Sequence, residues 1–312
     1  MKKEIYVVGV DVGGTHISSA IVALHQKKLL NESYATSHVA NMEPKNHILQ
    51  TWANCLNKTL TAAKGLPLTG IAFAMPGPFD YAKGVAKYPE GFKYGGLYGT
   101  NIEKSLNSFL GYERVLPIRF LNDATSFAVG EAWLAEGKGY RKQLCVTLGT
   151  GLGAGFIENG IPVTSGNTVP PNGILWNLQH KDGIADDYFS TRGCVNAYAA
   201  ISGKTVKGVK ELASAFDSDP GARQVLETFG RDLGDFLSPW LQKFDADALV
   251  LGGNISKAYS CFGTALQQVF NSNGLSIAIR ISEHMEKGAI IGCTRLFEDS
   301  FWESVSNNLP NI

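Results

Sequence analysis

Apolar positions along this chain alternate between short β-branched runs and stretches of helical spacing. Residues 4–10 and 16–24 are β-branched runs on either side of a glycine turn, "VGVDVGGTHISSAIV", and predict an antiparallel hairpin. Over 44–64, Trp52, Leu56, Leu60 and Ala63 recur near helical spacing. "TGIAFAMPGPFD" predicts a buried strand stopped by the rigid turn Pro76-Gly77-Pro78. Residues 81–100, rich in Gly, Tyr and Lys, predict an irregular, partly exposed excursion.

"PIRFLNDATSFAVGEAWLAEG" then predicts a short strand, Asn122-Asp123 at its end, and a helix to about Glu136. "KQLCVTLGTGLGAGFIENGIPV" repeats the opening pattern of strand, glycine turn and strand, with Asn159-Gly160 as the next turn. After an irregular stretch to about residue 190, helices are expected up to Lys243. "DALVLGGNIS" predicts a buried strand before Gly252-Gly253, and helices close the chain. Two similar glycine hairpins, each in an αβ setting, predict two related α/β lobes.

Composition narrows the function classes. With 312 residues, 44% hydrophobic and 18% charged, the chain is ordinary for a soluble globular protein of one large or two medium domains. Lys plus Arg equals Asp plus Glu at 28 each, which gives no electrostatic footprint for nucleic acid. The opening lacks a signal-peptide pattern and no apolar run is long enough for a membrane span. Cys55, Cys145, Cys194, Cys261 and Cys293 are scattered, as reduced thiols in a cytoplasmic protein would be.

The candidate chemistry lies at the glycine turns. Glycine lets backbone N–H groups converge on an anion, and a threonine hydroxyl adds a donor. Asp11-Val12-Gly13-Gly14-Thr15 and Leu148-Gly149-Thr150-Gly151 therefore read either as tight hairpins or as phosphate cradles. Neither is a Walker loop or a dinucleotide fingerprint. A third pair, Gly252-Gly253, follows a strand and would let a flat nucleoside pack on backbone. Asp123 reads either as a helix N-cap or as a carboxylate that takes the proton of an attacking hydroxyl.

Five ordered motifs, "GVDVGGTHI", "FAMPGPFD", "LNDATSFAVGE", "TLGTGLGAGFI" and "LVLGGNIS", resemble the ROK family of sugar kinases and sugar-responsive regulators over nearly the whole chain. A branch with D-G-G-G-T in the first motif fits less well, because Val12 has the ROK form. The resemblance implies an α/β, actin-like ATPase fold (hexokinase superfamily, ribonuclease H-like), with two lobes around a nucleotide and sugar cleft. The expected lobes are residues 1–121 with 298–312, and 122–297. It implies Asp123 as general base, Gly77 and Asn122 beside the sugar, and Gly13, Gly14, Thr15, Thr150 and Gly151 around the ATP phosphates. Gly252 and Gly253 would complete the ATP site, and Asp11 would face Mg²⁺ through water. Sugar and ATP are the expected partners, and a homodimer is compatible with the resemblance. His16 stands where the family often has Lys, and is expected inward or on the rim.

One family pattern is broken. Many members carry G-E-x-G-H followed by a C-x-C-G-x-x-G-C-x-E zinc segment. Laid without gaps, this becomes "GILWNLQHKDGIADDYFSTRGCVN" from Gly173 to Asn196. The zinc positions hold Asn177, Asp187, Phe189 and Cys194, which cannot form a tetrahedral His/Cys site, so no zinc is expected. His180 is expected to be a satisfied surface histidine rather than a substitute ligand. Ile174, Asn177 and Asn196 replace the family's Glu, His and Glu, so the sugar contacts are expected to be refitted. The expected activity is ATP-dependent phosphoryl transfer to a sugar hydroxyl; the alternative is a non-catalytic sugar or nucleotide sensor. The chain begins immediately ahead of its first strand, so DNA binding in cis is not expected.

Overall fold

The glycine turn after Val12 reverses the chain: β1 (Tyr6–Val12) pairs antiparallel with β2 (His16–Ala23), Val12 opposite Ile17. The computed structural model describes residues 3–63, 65–134, 139–284 and 286–310. Next come β3 (Lys28–His38), α1 (Lys45–Ala62), β4 (Leu68–Met75), β5 (Ile118–Asn122) and α2 (Asp123–Trp133). The chain continues with β6 (Lys142–Leu148), β7 (Leu152–Glu158), β8 (Ile161–Pro162), α3 (Thr191–Ser202) and α4 (Pro220–Phe244). Then follow β9 (Ala248–Gly252), α5 (Tyr259–Ser272), β10 (Ala278–Ile281) and α6 (Glu286–Thr294). The expected end of α2 near Glu136 lies outside the described residues.

The chain divides into two compact units, Met1–Leu134 with Glu286–Ile312, and Ala135–Met285. The first therefore holds α2 and α6 as well as the strands up to residue 121. Its sheet has the order β3-β2-β1-β4-β5, and that of the second is β8-β7-β6-β9-β10. In both, three antiparallel strands are followed by two parallel ones. The internal repetition suggested by the two glycine hairpins is thus a repetition of topology.

In the first unit α1 turns Ile48, Leu49, Trp52, Leu56 and Leu60 into the core, as its helical spacing requires. Strand β3 was not anticipated. Its residues alternate between buried and exposed without a continuous apolar run, as suits a sheet edge. The excursion over 81–100 is irregular but anchored: Tyr81, Tyr88 and Tyr94 are buried, while Phe92 and Tyr98 are exposed.

Close helix packing sets the site. A carbon added to Gly292 of α6 would lie 1.9 Å from the Ser126 carbonyl oxygen of α2, and one added to Gly9 of β1 would lie 2.2 Å from that of Ile290. Only residues without a side chain allow α2, α6 and β1 to approach this closely.

Candidate active site

Three parallel strands of the first unit bring their C-terminal ends to one sheet edge. Asp11 of β1 lies opposite Ala74 of β4, and Met75 of β4 lies opposite Asn122 of β5. The turns that follow, Gly13–Thr15, Pro76–Pro78 and Asn122-Asp123, therefore cluster where open α/β sheets bind ligands.

The turn after β1 is tied to its surroundings through its carbonyl oxygens. Tyr94 Oη donates to Gly13 O at 2.6 Å, Asn41 Nδ2 donates to Gly14 O, and Val39 N donates to Thr15 O at 2.8 Å. Gly13 N is used as well, donating to His16 O at 2.9 Å. Among the described residues no hydrogen bond engages the N–H groups of Gly14 and Thr15. Two unpaired amides on a turn whose carbonyls are tied back form a concavity for an anion.

Tyrosines fix the neighbouring turn too. Tyr81 Oη donates to Met75 O at 3.0 Å and Tyr88 Oη to Pro76 O at 2.8 Å, which leaves Gly77 exposed between them and a cis Gly77–Pro78 bond. Burial pushes the phenol pKa values of Tyr81, Tyr88 and Tyr94 up, so all three remain donors.

At the start of α2 the N-cap is Asn122, not Asp123. Asn122 Oδ1 accepts from Thr125 N at 3.0 Å, and Asp123 is the first helical residue. The Asn122 amide donates to Asp123 Oδ1 at 2.9 Å and to Tyr81 Oη at 3.2 Å. Asp123 Oδ1 also accepts from Ala124 N at 2.9 Å, while Oδ2 has no partner among the described residues. The carboxylate is thus oriented through one oxygen and open at the other.

Electrostatics mark both acids. Burial raises the Asp123 pKa, opposed by the Ala124 N–H, the Lys93 charge and the Asn122 amide. Asp11 is raised well above its usual value, first by burial and then by the negative charges of Asp123 and Glu286. A cluster of half-buried carboxylates that resist ionisation suits a place where a cation will sit. His16 lies on the rim, with Nε2 3.0 Å from Glu286 Oε1.

The second unit builds a matching pair of turns. Gly149 O accepts from Thr191 N at 2.8 Å and from Thr191 Oγ1 at 2.9 Å. Asp186 Oδ1 accepts from Leu152 N at 2.7 Å and lies 2.8 Å from where a carbon on Gly151 would stand. Gly252 of β9 lies opposite Thr147 of β6. Gly253 has φ 79°, and a carbon on it would be 2.3 Å from Leu148 O. The turns at Thr150-Gly151 and Gly252-Gly253 therefore meet at one edge of this sheet.

The segment laid on the zinc pattern serves other purposes. Phe189 is fully buried among Phe229, Phe236 and His180. Cys194 is buried and its thiol is pushed up to about 12, which disfavours the thiolate that zinc binds. Asp187 accepts from Ile184 N at 3.1 Å and pairs with Arg192 at 3.0 Å. No group of three or more His, Cys, Asp or Glu residues placed to hold a metal occurs among the described residues.

His180 corrects the expectation of a satisfied surface histidine. It packs on the rings of Tyr188, Phe189 and Phe236, its Nε2 is buried without a partner, and burial lowers its pKa. Asn177 and Asn196 are exposed, on a loop and on α3, and their side chains form no hydrogen bond among the described residues.

Sequence reasoning missed Asn41, Tyr81, Tyr88, Tyr94 and Thr191, which hold the turns. Their partners are backbone carbonyls, which leave no motif. The richness of 81–100 in tyrosine was the one signal.

The ROK family profile matches residues 7–300. The chain is 24% identical to the N-acetyl-D-glucosamine kinase of Histophilus somni, covering 93% of this chain and 98% of that one. It is also 24% identical to the beta-glucoside kinase of Listeria innocua, covering 92% and 95%. A solved ROK family glucokinase from Streptomyces griseus, in complex with glucose and AMPPNP, superposes with a TM-score of 0.70 at 20% identity, covering 93% and 98%. The fold is the actin-like ATPase fold that the sequence implied, and the chain belongs to the ROK family.

Proposed function

We propose that this protein is an ATP-dependent kinase that transfers the γ-phosphoryl group of ATP to a hydroxyl of a sugar or sugar derivative. The observation that carries this reading is the pair of unpaired Gly14 and Thr15 amides on the same sheet edge as the open Oδ2 of Asp123. One feature suits phosphate, and the other suits the proton of an attacking hydroxyl. The relatives named above are kinases of N-acetyl-D-glucosamine and of beta-glucosides, which supports a sugar acceptor.

In this reading Asp123 Oδ2 accepts the hydroxyl proton as the oxygen attacks phosphorus. Asn122 holds the carboxylate in place, and the Gly77 backbone lies beside the sugar. The amides of Gly14 and Thr15 take up phosphate charge, and Thr150 and Gly151 keep the part in ATP binding that the family resemblance implies. Gly252 and Gly253 receive the nucleoside. Asp11 would face Mg²⁺ through water, and the raised pKa of this acid fits a neighbouring cation. Bound to ATP, Mg²⁺ would neutralise charge on the phosphate oxygens.

Substitution of the family's acidic and imidazole sugar contacts by Ile174, Asn177 and Asn196 points to an acceptor other than the usual glucose type. A carboxylate lost to isoleucine removes charged hydrogen bonds worth about 1.5–3 kcal/mol each. No helix among the described residues is long and apolar enough to cross a membrane. Zero net charge suits a cytoplasmic enzyme of small molecules without a nucleic-acid partner.

The test is ADP release from Mg-ATP against hexoses, amino sugars, N-acetylated sugars and glucosides. Release that depends on one sugar class supports the reading. ATP binding without release for any class contradicts it and favours a sensor.

A further inference from the structure

Lys93 is an exposed cation at the mouth of the candidate site. It forms no hydrogen bond or ion pair among the described residues, and its side chain is exposed. Its position is nonetheless defined. The next residue, Tyr94, is fully buried in left-handed backbone with φ 64°, donates its N–H to Asn41 O at 2.7 Å, and holds Gly13 O through its hydroxyl. The same residue therefore fixes both the glycine turn and the backbone from which Lys93 projects.

The ammonium group lies over that turn: a carbon added to Gly14 would be 3.5 Å from Lys93 Nζ. The charge also reaches Asp123 and favours its carboxylate form. His16, on the hairpin itself, is turned to Glu286 at 3.0 Å. A lysine is thus absent from the hairpin itself and present above it, supplied from residues 87–98.

We propose that Lys93 binds the phosphoryl group in transfer, as the cation that complements the Gly14 and Thr15 amides. The inference rests on the sugar-kinase reading. The sugar oxygen forms a bond to the γ-phosphorus, the bond from phosphorus to the β–γ bridging oxygen breaks, and ADP leaves with that electron pair. The hydroxyl proton passes to Asp123 Oδ2, and Lys93 takes no part in proton transfer. Negative charge spreads over the three equatorial phosphoryl oxygens, where a point charge on a flexible stem is most useful.

The test compares wild type, Lys93→Met and Lys93→Arg. Calorimetry gives the affinities for Mg-ADP and for a non-hydrolysable Mg-ATP analogue, and kinetics gives kcat and KM for the accepted sugar. The Met variant is expected to lose about fivefold or more of the preference for the analogue over ADP, and about 100-fold in kcat. The Arg variant is expected to keep most of the preference, because the charge remains. Circular dichroism of the variants should match wild type, since the side chain is exposed. A Met variant that keeps both preference and kcat overturns the assignment. So does a loss confined to KM for the sugar, which would assign Lys93 to an anionic group on the acceptor. A wild-type protein that binds no nucleotide overturns the kinase reading itself, and this inference with it.

Discussion

Tyr94 donates its hydroxyl hydrogen to the carbonyl oxygen of Gly13 across 2.6 Å, from a ring packed edge-on against Trp52. The glycine turn is thus tied to the hydrophobic core by a part-buried hydrogen bond between residues far apart in sequence. Tyr94→Phe keeps the ring and leaves Gly13 O without that donor. A stability loss of about 1–2 kcal/mol is expected in denaturant unfolding, with weaker ATP binding. Unchanged ATP affinity would show that the turn does not need this tether.

Asp11 carries a stability cost that follows from its function. Its native pKa is raised, so the folded state holds the proton more tightly than the unfolded chain does. The resulting stabilisation is complete below the unfolded value and is lost as pH rises through the native one. Above the unfolded value the burial of this acid therefore opposes folding. Asp11→Asn is expected to raise Tm by about 2–4 °C at pH 7 and to lose this gain as pH falls towards 4, while phosphoryl transfer drops. A thermal scan across pH with no gain at pH 7 would contradict this.

Asn122 and Asp123 make a second coupled pair. Asn122→Ala removes the helix cap, at a cost of about 1 kcal/mol, and also the amide that stabilises the Asp123 carboxylate. Base catalysis requires the ionised form, so activity rises with pH through the Asp123 pKa, which burial holds above the ordinary carboxylate range. In the variant the acid limb of kcat/KM should move to higher pH. A lower kcat with an unmoved acid limb would leave Asn122 as a cap alone.

Gly292 carries the packing claim. A methyl group there would sit 1.9 Å from Ser126 O, so Gly292→Ala must push α6 from α2. A loss of about 1–3 kcal/mol or more is expected from chemical unfolding. A variant as stable as wild type would show that the helices can separate freely.

The sequence made the hairpins legible because β-branched runs around glycine have few other solutions. It made α1 legible because Trp52, Leu56 and Leu60 share a helical face. Strand β3 escaped because an edge strand alternates too irregularly to separate from loop. Asn122 and Asp123 are both good caps, and only the geometry decides between adjacent candidates. The tyrosine tethers and the aromatic surroundings of His180 depend on contacts across long stretches of chain, which local pattern does not encode.

The most direct test is a single-turnover reaction with γ-labelled ATP and the sugar found in the ADP-release panel, comparing wild type with Asp123→Asn. The account predicts label on a sugar hydroxyl with wild type, and transfer about 10²–10⁴-fold slower in the variant with nucleotide still bound. Label that reaches the sugar at the same rate in both proteins would contradict it.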